Sequence, residues 1–325
     1  MRLSDLPEIE IAAPDSELAA DVRAGLAGPG QKTLPARWFY DHTGSALFEA
    51  ITLLPEYGLT RADLRLLEEH SGEIARRLSG RPVRVVELGS GGGKKTRIIL
   101  DSLQGDAPID FHPIDVSQAA LDACETALAS LARVHPVQAS YSEGLAQVVG
   151  HRRAEERLLV LFLGSNIGNF EPPRAAGLLT DVRRSLQPGD ALLIGTDLVK
   201  PAARLIAAYD DAAGVTAAFN RNLLVRLNRE LGASFPVRDF AHEARYDPRE
   251  RRVEMHLRAT RDLVAEVAAL DLQVSFRAGE TIWTESSYKF ELAQLAGLAA
   301  STGFDSAARW VDAEWPFAES LWIAE

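Results

Sequence analysis

The chain has 325 residues and a formal net charge of -11, with 46% hydrophobic and 25% charged residues. These proportions are ordinary for a globular protein, and the length predicts one large domain or two interleaved ones. The acidic balance argues against a nucleic-acid partner, because phosphate binding needs a basic surface, and no apolar run approaches the roughly 18 residues of a membrane-spanning helix.

Cys124 is the single cysteine, so no disulfide can form within the chain and a reducing cytoplasm is expected. The first residues lack the apolar core of a signal peptide, which agrees with a cytoplasmic location. The seven histidines show no metal-ligand spacing, so we predict no metal site. We expect a monomer.

The first part of the chain predicts a helix over residues 16–27 and an irregular aromatic segment at 35–41. An amphipathic helix follows over 61–78, where leucine and isoleucine recur near helical spacing.

Strands and helices then alternate, and the apolar run at 158–163 is typical of a strand covered on both faces. The alternation predicts an α/β fold with a doubly wound parallel sheet, whose ligands bind at the carboxyl ends of its strands. The predicted strands are 83–88, 109–114, 134–139, 158–163 and 191–195, and the main helices are 94–103, the segment capped by Ser117, and 172–186.

The pattern changes after Asp197. Residues 200–231 look helical, 242–258 read as a hairpin, and a further extended piece spans 270–288. A helix at 289–302 and strands near 307–310 and 319–324 end the chain. The sheet is therefore predicted to be interrupted by an insertion and completed by the last residues.

The most informative motif follows the first strand of the sheet, where Glu87 precedes a glycine-rich loop that begins at Gly89. A dinucleotide fingerprint needs a glycine where Lys94 stands, and a phosphate loop needs one where Leu88 stands. The remaining pattern, Glu-x-Gly-x-Gly, is the loop type of S-adenosylmethionine-dependent methyltransferases. A plain structural turn is the alternative.

Several side chains could serve a nucleotide-type cofactor. Asp115 ends the second strand, where an acid can accept both ribose hydroxyls; a helix N-cap is the alternative. Ser140 and Tyr141 follow the third strand, and Tyr141 is either an adenine-stacking ring or a surface tyrosine. Lys95 opens the helix after the glycine loop and could pair with the cofactor's carboxylate, although solvated lysines are common there.

Other polar groups suit an amino-acid substrate. The loop 164–170 combines glycines with asparagines at a strand's carboxyl end, as a polar ligand requires, or it is an ordinary connection. Periodicity does not assign Tyr57 or Tyr209. Glu285 and Ser287 fall on one face of an extended segment, where they could hold a ring or an amine or simply form an exposed face.

Together these segments resemble the histidine N-alpha-methyltransferases of ergothioneine biosynthesis, from about residue 20 to the end. The matching motifs are LPEY at 54–57, VELGSG at 86–91 with KT at 95–96, FLGSxIGN at 162–169, GTDLVK at 195–200 and YDDAAGVTAAFNRN at 209–222. The resemblance implies a Rossmann-like class I methyltransferase sheet with a second, α+β substrate-binding domain. We expect the methyltransferase domain over 61–196 plus 287–325 and the substrate-binding domain over 1–60 plus 197–286.

The resemblance also implies a reaction, in which three methyl groups pass from S-adenosylmethionine to the alpha-amine of L-histidine, giving hercynine. It implies that the amine and carboxylate are held by Tyr57, Asn169 and Tyr209, and that Tyr57 and Asn169 orient the reacting amine. The imidazole would be held by Glu285 and Ser287 beside Met255, and the cofactor by Gly89, Lys95, Asp115, Ser140 and Tyr141.

Two positions depart from the family pattern: Ser140 stands where an aspartate is common, and Asn166 where a threonine is common. The first could weaken a cofactor contact and the second could alter hydrogen bonds of the substrate loop. A methyltransferase of the same fold acting on tryptophan or an indole derivative is one alternative, and a non-catalytic nucleotide-binding regulator is another. Indole has one donor and no acceptor, so the pair Glu285 and Ser287 favours imidazole.

Overall fold

The computed structural model describes residues 16–105 and 108–325, so the N-terminal stretch that we interpret as lacking a signal peptide lies outside the described residues. Two compact units are present. The sheet unit consists of Gly58–Pro201 and Ser287–Glu325, and the insertion unit consists of the described residues up to Tyr57 with Ala202–Ser286. No helix in the described ranges is long and apolar enough to cross a membrane.

The insertion unit begins with helix α1 (Glu17–Leu26), the short strand β1 (Lys32–Thr33) and helix α2 (His42–Thr52). We did not predict α2 from the sequence. Its start is set by Asp41, whose side chain accepts the backbone N–H of Gly44 at 2.7 Å. Between β1 and α2, the aromatic segment forms a short 3-10 turn at Ala36–Phe39.

The sheet unit begins with the long helix α3 (Gly58–Arg77) and then alternates strands with helices. The alternating elements are β2 (Val83–Leu88), α4 (Lys94–Ser102), β3 (Ile109–Asp115), α5 (Gln118–Leu128), β4 (Ala132–Val134), β5 (Val137–Gln138), α6 (Tyr141–Val149), β6 (Arg157–Phe162), α7 (Pro172–Ser185) and β7 (Ala191–Asp197). The single strand predicted at 134–139 is wrong: it is two short strands separated by His135 and Pro136, because proline has no N–H for the ladder.

The chain returns to the insertion unit with two helices, α8 (Ala202–Tyr209) and α9 (Val215–Glu230), where we predicted one. The first helix ends at Tyr209, and Gly214, with a positive φ of 74°, is the N-cap of the second. Five strands follow: β8 (Phe240–Asp247), β9 (Arg252–Ala259), β10 (Leu263–Val267), β11 (Leu272–Phe276) and β12 (Thr281–Tyr288). One sheet has the order β1-β12-β9-β8, and β10 pairs with β11. The unit is therefore α+β.

The last elements complete the sheet unit as predicted: α10 (Leu292–Ser301), β13 (Phe304–Val311) and β14 (Phe317–Ala324). The strand order is β13-β14-β7-β6-β2-β3-β4, with β5 also paired with β3. The strands β4, β5, β3, β2, β6 and β7 run parallel, and β14 and β13 are antiparallel. A core lies on each face of this sheet, which confirms the predicted Rossmann-like α/β fold.

Candidate active site

The glycine loop leaves the carboxyl end of β2 at the centre of the parallel sheet. Gly89 has a φ of +80°, and a Cβ there would come within 2.8 Å of the Tyr141 hydroxyl and 2.9 Å of the Asn166 amide nitrogen. Gly91 also has a positive φ, but a Cβ there would meet nothing within 4 Å. Gly89 is thus needed for packing inside the protein, whereas open space next to Gly91 allows a ligand to approach the backbone.

Asp115 stands beside this loop, because the Gly89 N–H donates to the carbonyl of Ile114 at 2.9 Å. Its Oδ1 accepts the backbone N–H of Ser117 at 2.9 Å, and the α5 cap is Ser117 rather than Asp115. Burial raises the pKa of the Asp115 carboxyl, although backbone N–H groups oppose the shift. The next side chain, Val116, is 58% exposed, so a carboxyl group and an apolar surface lie together at this strand end.

Ser140 and Tyr141 lie at the start of α6. The Ser140 hydroxyl donates to Glu143 at 2.6 Å. The Tyr141 ring packs edge-on against Phe162 and Phe170, and burial raises the pKa of its phenol. Tyr141 is therefore not the surface tyrosine of the alternative interpretation; it forms part of the wall behind Gly89.

Lys95 has a partner that the sequence did not reveal. Its ammonium lies 3.0 Å from Oδ2 of Asp63, a fully buried residue of α3, and the same oxygen accepts the N–H of Gly164 at 2.9 Å. Burial alone would lower the pKa of Lys95, but the charges of Asp63, Glu87 and Glu319 raise it. Asp63 could have been found, because it stands beside Ala62 on the buried stripe of α3.

Two further carboxyl groups are buried in this region. Glu87 accepts the Thr96 hydroxyl at 2.6 Å, and burial raises the pKa of Glu87 to about 8. Glu319 on β14 faces Gly195, where a Cβ would lie 2.6 Å from its carboxyl oxygen. Burial and the nearby Asp63 charge raise the pKa of Glu319 well above its ordinary value. Glu87 and Glu319 are therefore buried carboxyl groups, both with raised pKa values, close to the ion pair of Lys95 and Asp63.

The loop after β6 lies beside the glycine loop through Asn166, as noted above. Ser165 has the rare left-handed φ of 59°, and its hydroxyl accepts the Asp197 N–H at 2.9 Å. A Cβ on Gly168 would come within 2.7 Å of the Tyr288 carbonyl, so the loop packs closely on that backbone. Asn169 ends the short helical turn with an exposed side chain. The sheet unit thus brings together Gly89, Asp115, Tyr141 and this loop.

In the insertion unit, Tyr57 and Tyr209 come together, with ring centroids 6.3 Å apart. Both are nearly buried, and the Tyr209 carbonyl lies 2.7 Å from Nε2 of His242. Asp211 accepts the N–H groups of Val215 and Thr216 at the start of α9, because the N-cap Gly214 has no side chain to do so. These contacts explain Asp211, the second residue of the acidic pair that follows Tyr209.

Met255 is buried on β9, and its carbonyl accepts the Thr284 hydroxyl at 3.0 Å. The single proton of this hydroxyl is shared with Oδ1 of Asn220 on α9 at 2.8 Å, so polar groups connect the helix and the sheet of this unit. Glu285 is half-buried on β12.

Ser287, two positions further along β12 and in the sheet unit, is 4% exposed. Its hydroxyl accepts a hydrogen bond from Lys289 at 2.8 Å. Sequence reasoning missed Lys289, although a lysine two residues after a candidate site serine was a visible signal. In the described ranges, no group of three or more histidine, cysteine or acidic residues could hold a metal ion.

Comparisons with known proteins agree with this geometry. A family model described as histidine-specific methyltransferase, SAM-dependent, matches residues 18–324. The chain is 44% identical over 311 residues to the histidine N-alpha-methyltransferase of Mycolicibacterium smegmatis, covering 94% of both chains. It is 43% identical to the enzyme of the same name from Mycobacterium tuberculosis, covering 99% of both.

A more distant relative is ergothioneine biosynthesis protein 1 of Neurospora crassa, at 29% identity over 94% of this chain and 35% of that protein. Among solved structures, an S-adenosylmethionine-dependent methyltransferase from Clostridium acetobutylicum has a TM-score of 0.46 at 11% identity, covering 85% of this chain and 97% of that one.

Proposed function

The chain belongs to the S-adenosylmethionine-dependent, histidine-specific methyltransferase family, and we propose that it converts L-histidine to hercynine by three N-methylations of the alpha-amine. The observation that carries the proposal is the family match over residues 18–324, together with relatives of that activity at 43–44% identity over nearly the whole chain. The same relatives make tryptophan or an indole derivative the less supported substrate.

The strand ends of the sheet unit fit the cofactor. Open space next to Gly91 admits a ligand to the backbone, and Asp115 offers a carboxyl group to ribose hydroxyls beside the exposed Val116. We propose that Gly89, Lys95, Asp115, Ser140 and Tyr141 hold it. When bound, S-adenosylmethionine supplies a methyl group on a positively charged sulfur.

Methyl transfer to an amine moves a positive charge rather than creating one, so little new charge needs stabilising. Catalysis then comes mainly from positioning, which can contribute on the order of 7–11 kcal/mol. We propose that Tyr57 and Asn169 orient the neutral amine and that Tyr209 holds the carboxylate. The first two methylations each release a proton, whereas the third starts from a neutral tertiary amine and needs no base.

Selectivity for the side chain is assigned to Glu285 and Ser287, with Met255 lining the ring site. A neutral imidazole has one N–H donor and one acceptor nitrogen, and these two residues offer a carboxylate and a hydroxyl. A site built from such groups rejects rings that leave them unpaired much better than an apolar pocket rejects a missing methylene. The half-buried position of Glu285 and the burial of Ser287 support this assignment.

We further propose that the sheet unit is the methyltransferase domain and the insertion unit the substrate-binding domain. We propose a cytoplasmic location, which the free, buried thiol of Cys124 supports. We also propose that the enzyme is a monomer. Light scattering on the purified chain tests the monomer, and a dimer mass would contradict it.

The deciding experiment for the reaction incubates the purified enzyme with S-adenosylmethionine and a panel of amino acids that includes histidine and tryptophan. We expect a mass gain of three methyl groups on histidine alone, located on the alpha-nitrogen by fragmentation. Methylation of tryptophan with histidine left unchanged would contradict the substrate assignment. Cofactor binding without methylation of any amine would instead favour a regulator.

A further inference from the structure

A buried charged cluster lies at the end of β7, and neither the proposed chemistry nor the assigned binding residues include it. Asp197 is its centre. The carboxylate accepts hydrogen bonds from Lys200, from Lys289 at 3.0 Å, and from the Trp315 indole N–H at 2.9 Å. The side chains of Lys200 and Lys289 are 0% exposed, and that of Asp197 is 1% exposed.

The backbone holds the segment that carries Lys289 in place. The Phe290 N–H donates to the Asp197 carbonyl at 2.9 Å, and the Val199 N–H donates to the Phe290 carbonyl at 3.0 Å. Because Lys289 is also tied to Asp197 through its side chain, its ammonium has a fixed position. A fixed ammonium can orient the group to which it donates.

The cluster contains two ammonium groups and one carboxylate. Burial would raise the pKa of Asp197, but the charges of Lys289 and Lys200 lower it below its usual value, so Asp197 is ionised.

Lys289 also donates to the Ser287 hydroxyl, with Nζ and Oγ 2.8 Å apart. An ammonium has donors and no acceptor, so Ser287 must be the acceptor in this bond. The hydroxyl proton of Ser287 is therefore directed toward a different acceptor. Lys289 thus determines that the Ser287 hydroxyl, which we assign to the substrate ring, acts as a donor to its other partner.

We propose that Lys289 is a positioning residue that makes Ser287 a hydrogen-bond donor to the unprotonated ring nitrogen of histidine, so that the substrate binds as neutral imidazole. The inference rests on the proposed function, in which Ser287 contacts that ring. Glu285 would accept the ring N–H. An imidazolium carries two N–H donors and no acceptor, so one of its N–H groups would be directed at the Ser287 proton.

The first test is a double-mutant cycle on histidine affinity, measured by calorimetry in the presence of S-adenosylhomocysteine. Lys289→Met should weaken histidine binding about tenfold or more, as expected when a charge-assisted hydrogen bond is lost. In a Ser287→Ala background the same change should have an effect within about twofold, since its route to the substrate is already removed. Affinity for S-adenosylhomocysteine should stay within about twofold throughout.

Lys200→Met is the matched control. Lys200 pairs with the same carboxylate and is equally buried, but it donates to the Leu198 carbonyl at 2.8 Å, where Lys289 donates to Ser287. The Lys200→Met substitution should therefore leave histidine affinity nearly unchanged. Equal losses in the two lysine variants, or an undiminished Lys289→Met effect in the Ser287→Ala background, would overturn the inference and leave the proposed reaction intact.

A second test uses the unmodified enzyme and does not depend on how well the variants fold. The ring nitrogens of ¹⁵N-labelled histidine bound with S-adenosylhomocysteine are observed by NMR near pH 6. We expect one protonated and one unprotonated ring nitrogen. Two protonated nitrogens would overturn the inference. If the Ser287→Ala variant alone binds histidine as the wild type does, Ser287 does not contact the substrate ring. That result would be a failure of the proposed function, on which the inference rests.

Discussion

The Asp63 carboxylate and the Lys95 ammonium lie 3.0 Å apart, and the carboxylate oxygen in this pair also accepts the N–H of Gly164. The pair therefore joins α3, the first turn of α4 and the loop after β6. These are the segments next to the glycine loop. An ion pair that was not evident in the sequence thus fixes the relative positions of two loops that we assign to ligand binding.

Asp63→Asn should lower the free energy of unfolding by about 1.5–3 kcal/mol, because a buried charge-assisted hydrogen bond to Lys95 is weakened. Chemical denaturation of the ligand-free chain measures this. Asp101→Asn, an exposed acid on α4, is the control and should change stability by less than about 0.5 kcal/mol. Equal stabilities of Asp63→Asn and wild type would show that the pair contributes little.

Asp115→Asn should weaken binding of S-adenosylhomocysteine by about ten- to a hundredfold, because hydrogen bonds to a charged acceptor contribute roughly 1.5–3 kcal/mol. Titration calorimetry gives the affinity. Asp122→Asn, on the exposed side of α5, should leave it unchanged. If both variants bind as the wild type does, Asp115 is a structural residue of the β3–α5 connection and has no cofactor role.

The sheet could be predicted because its pattern is local: apolar strands, a glycine loop and capped helices follow one another in the chain. The break between α8 and α9 could not be predicted, because no glycine or proline stands at Tyr209, where α8 ends, and Gly214 lies at the start of α9. The helix α2 was missed because its cap, Asp41, follows an aromatic segment without helical periodicity.

The site was predictable only in part. Gly89 and Asp115 stand at strand ends, which topology brings together, so their neighbourhood follows from the fold. The partners Asp63 and Lys289 depend on side-chain packing between segments far apart in sequence, which periodicity does not encode. The roles of Glu285 and Ser287 came from resemblance to a family rather than from spacing.

Glu285→Ala should weaken histidine binding by about ten- to over a hundredfold while cofactor affinity stays nearly intact, since one charged hydrogen bond to the ring is lost. Calorimetric titrations with histidine and with S-adenosylhomocysteine separate the two effects. Glu280→Ala removes an acid that pairs with Lys32 at 3.0 Å just before β12 and serves as the matched control. Equal losses for both ligands would refute this division of roles.

The rate of histidine methylation should rise from pH 7 toward pH 9 without a side-chain base, because the fraction of neutral substrate amine rises. Burial lowers the pKa values of His242 and His256, so both are already neutral at pH 7 and should add no limb in this range. The dependence of kcat/KM on pH measures this. A sharp bell with an acidic limb traceable to one histidine would contradict it.

Glu87 gives the unfolding free energy a pH dependence whose sign can be stated. Burial raises its pKa from 4.5 to about 8 in the folded chain, so between these values the folded state holds a proton that the unfolded state has lost. Stability is therefore full below about pH 4.5 and falls as pH rises toward 8, by at most about 1.4 kcal/mol per unit.

Glu87→Gln keeps an oxygen for the Thr96 hydroxyl but has no proton to lose. Its free energy of unfolding, relative to that of wild type, should therefore increase steadily from pH 5 to pH 8. Denaturant unfolding of the ligand-free chain at four pH values measures the difference. Glu125→Gln, an exposed position on α5, should follow the wild-type curve. Parallel curves for Glu87→Gln and wild type would mean that Glu87 is ionised in the folded protein, held by Lys95 and Thr96 despite its burial.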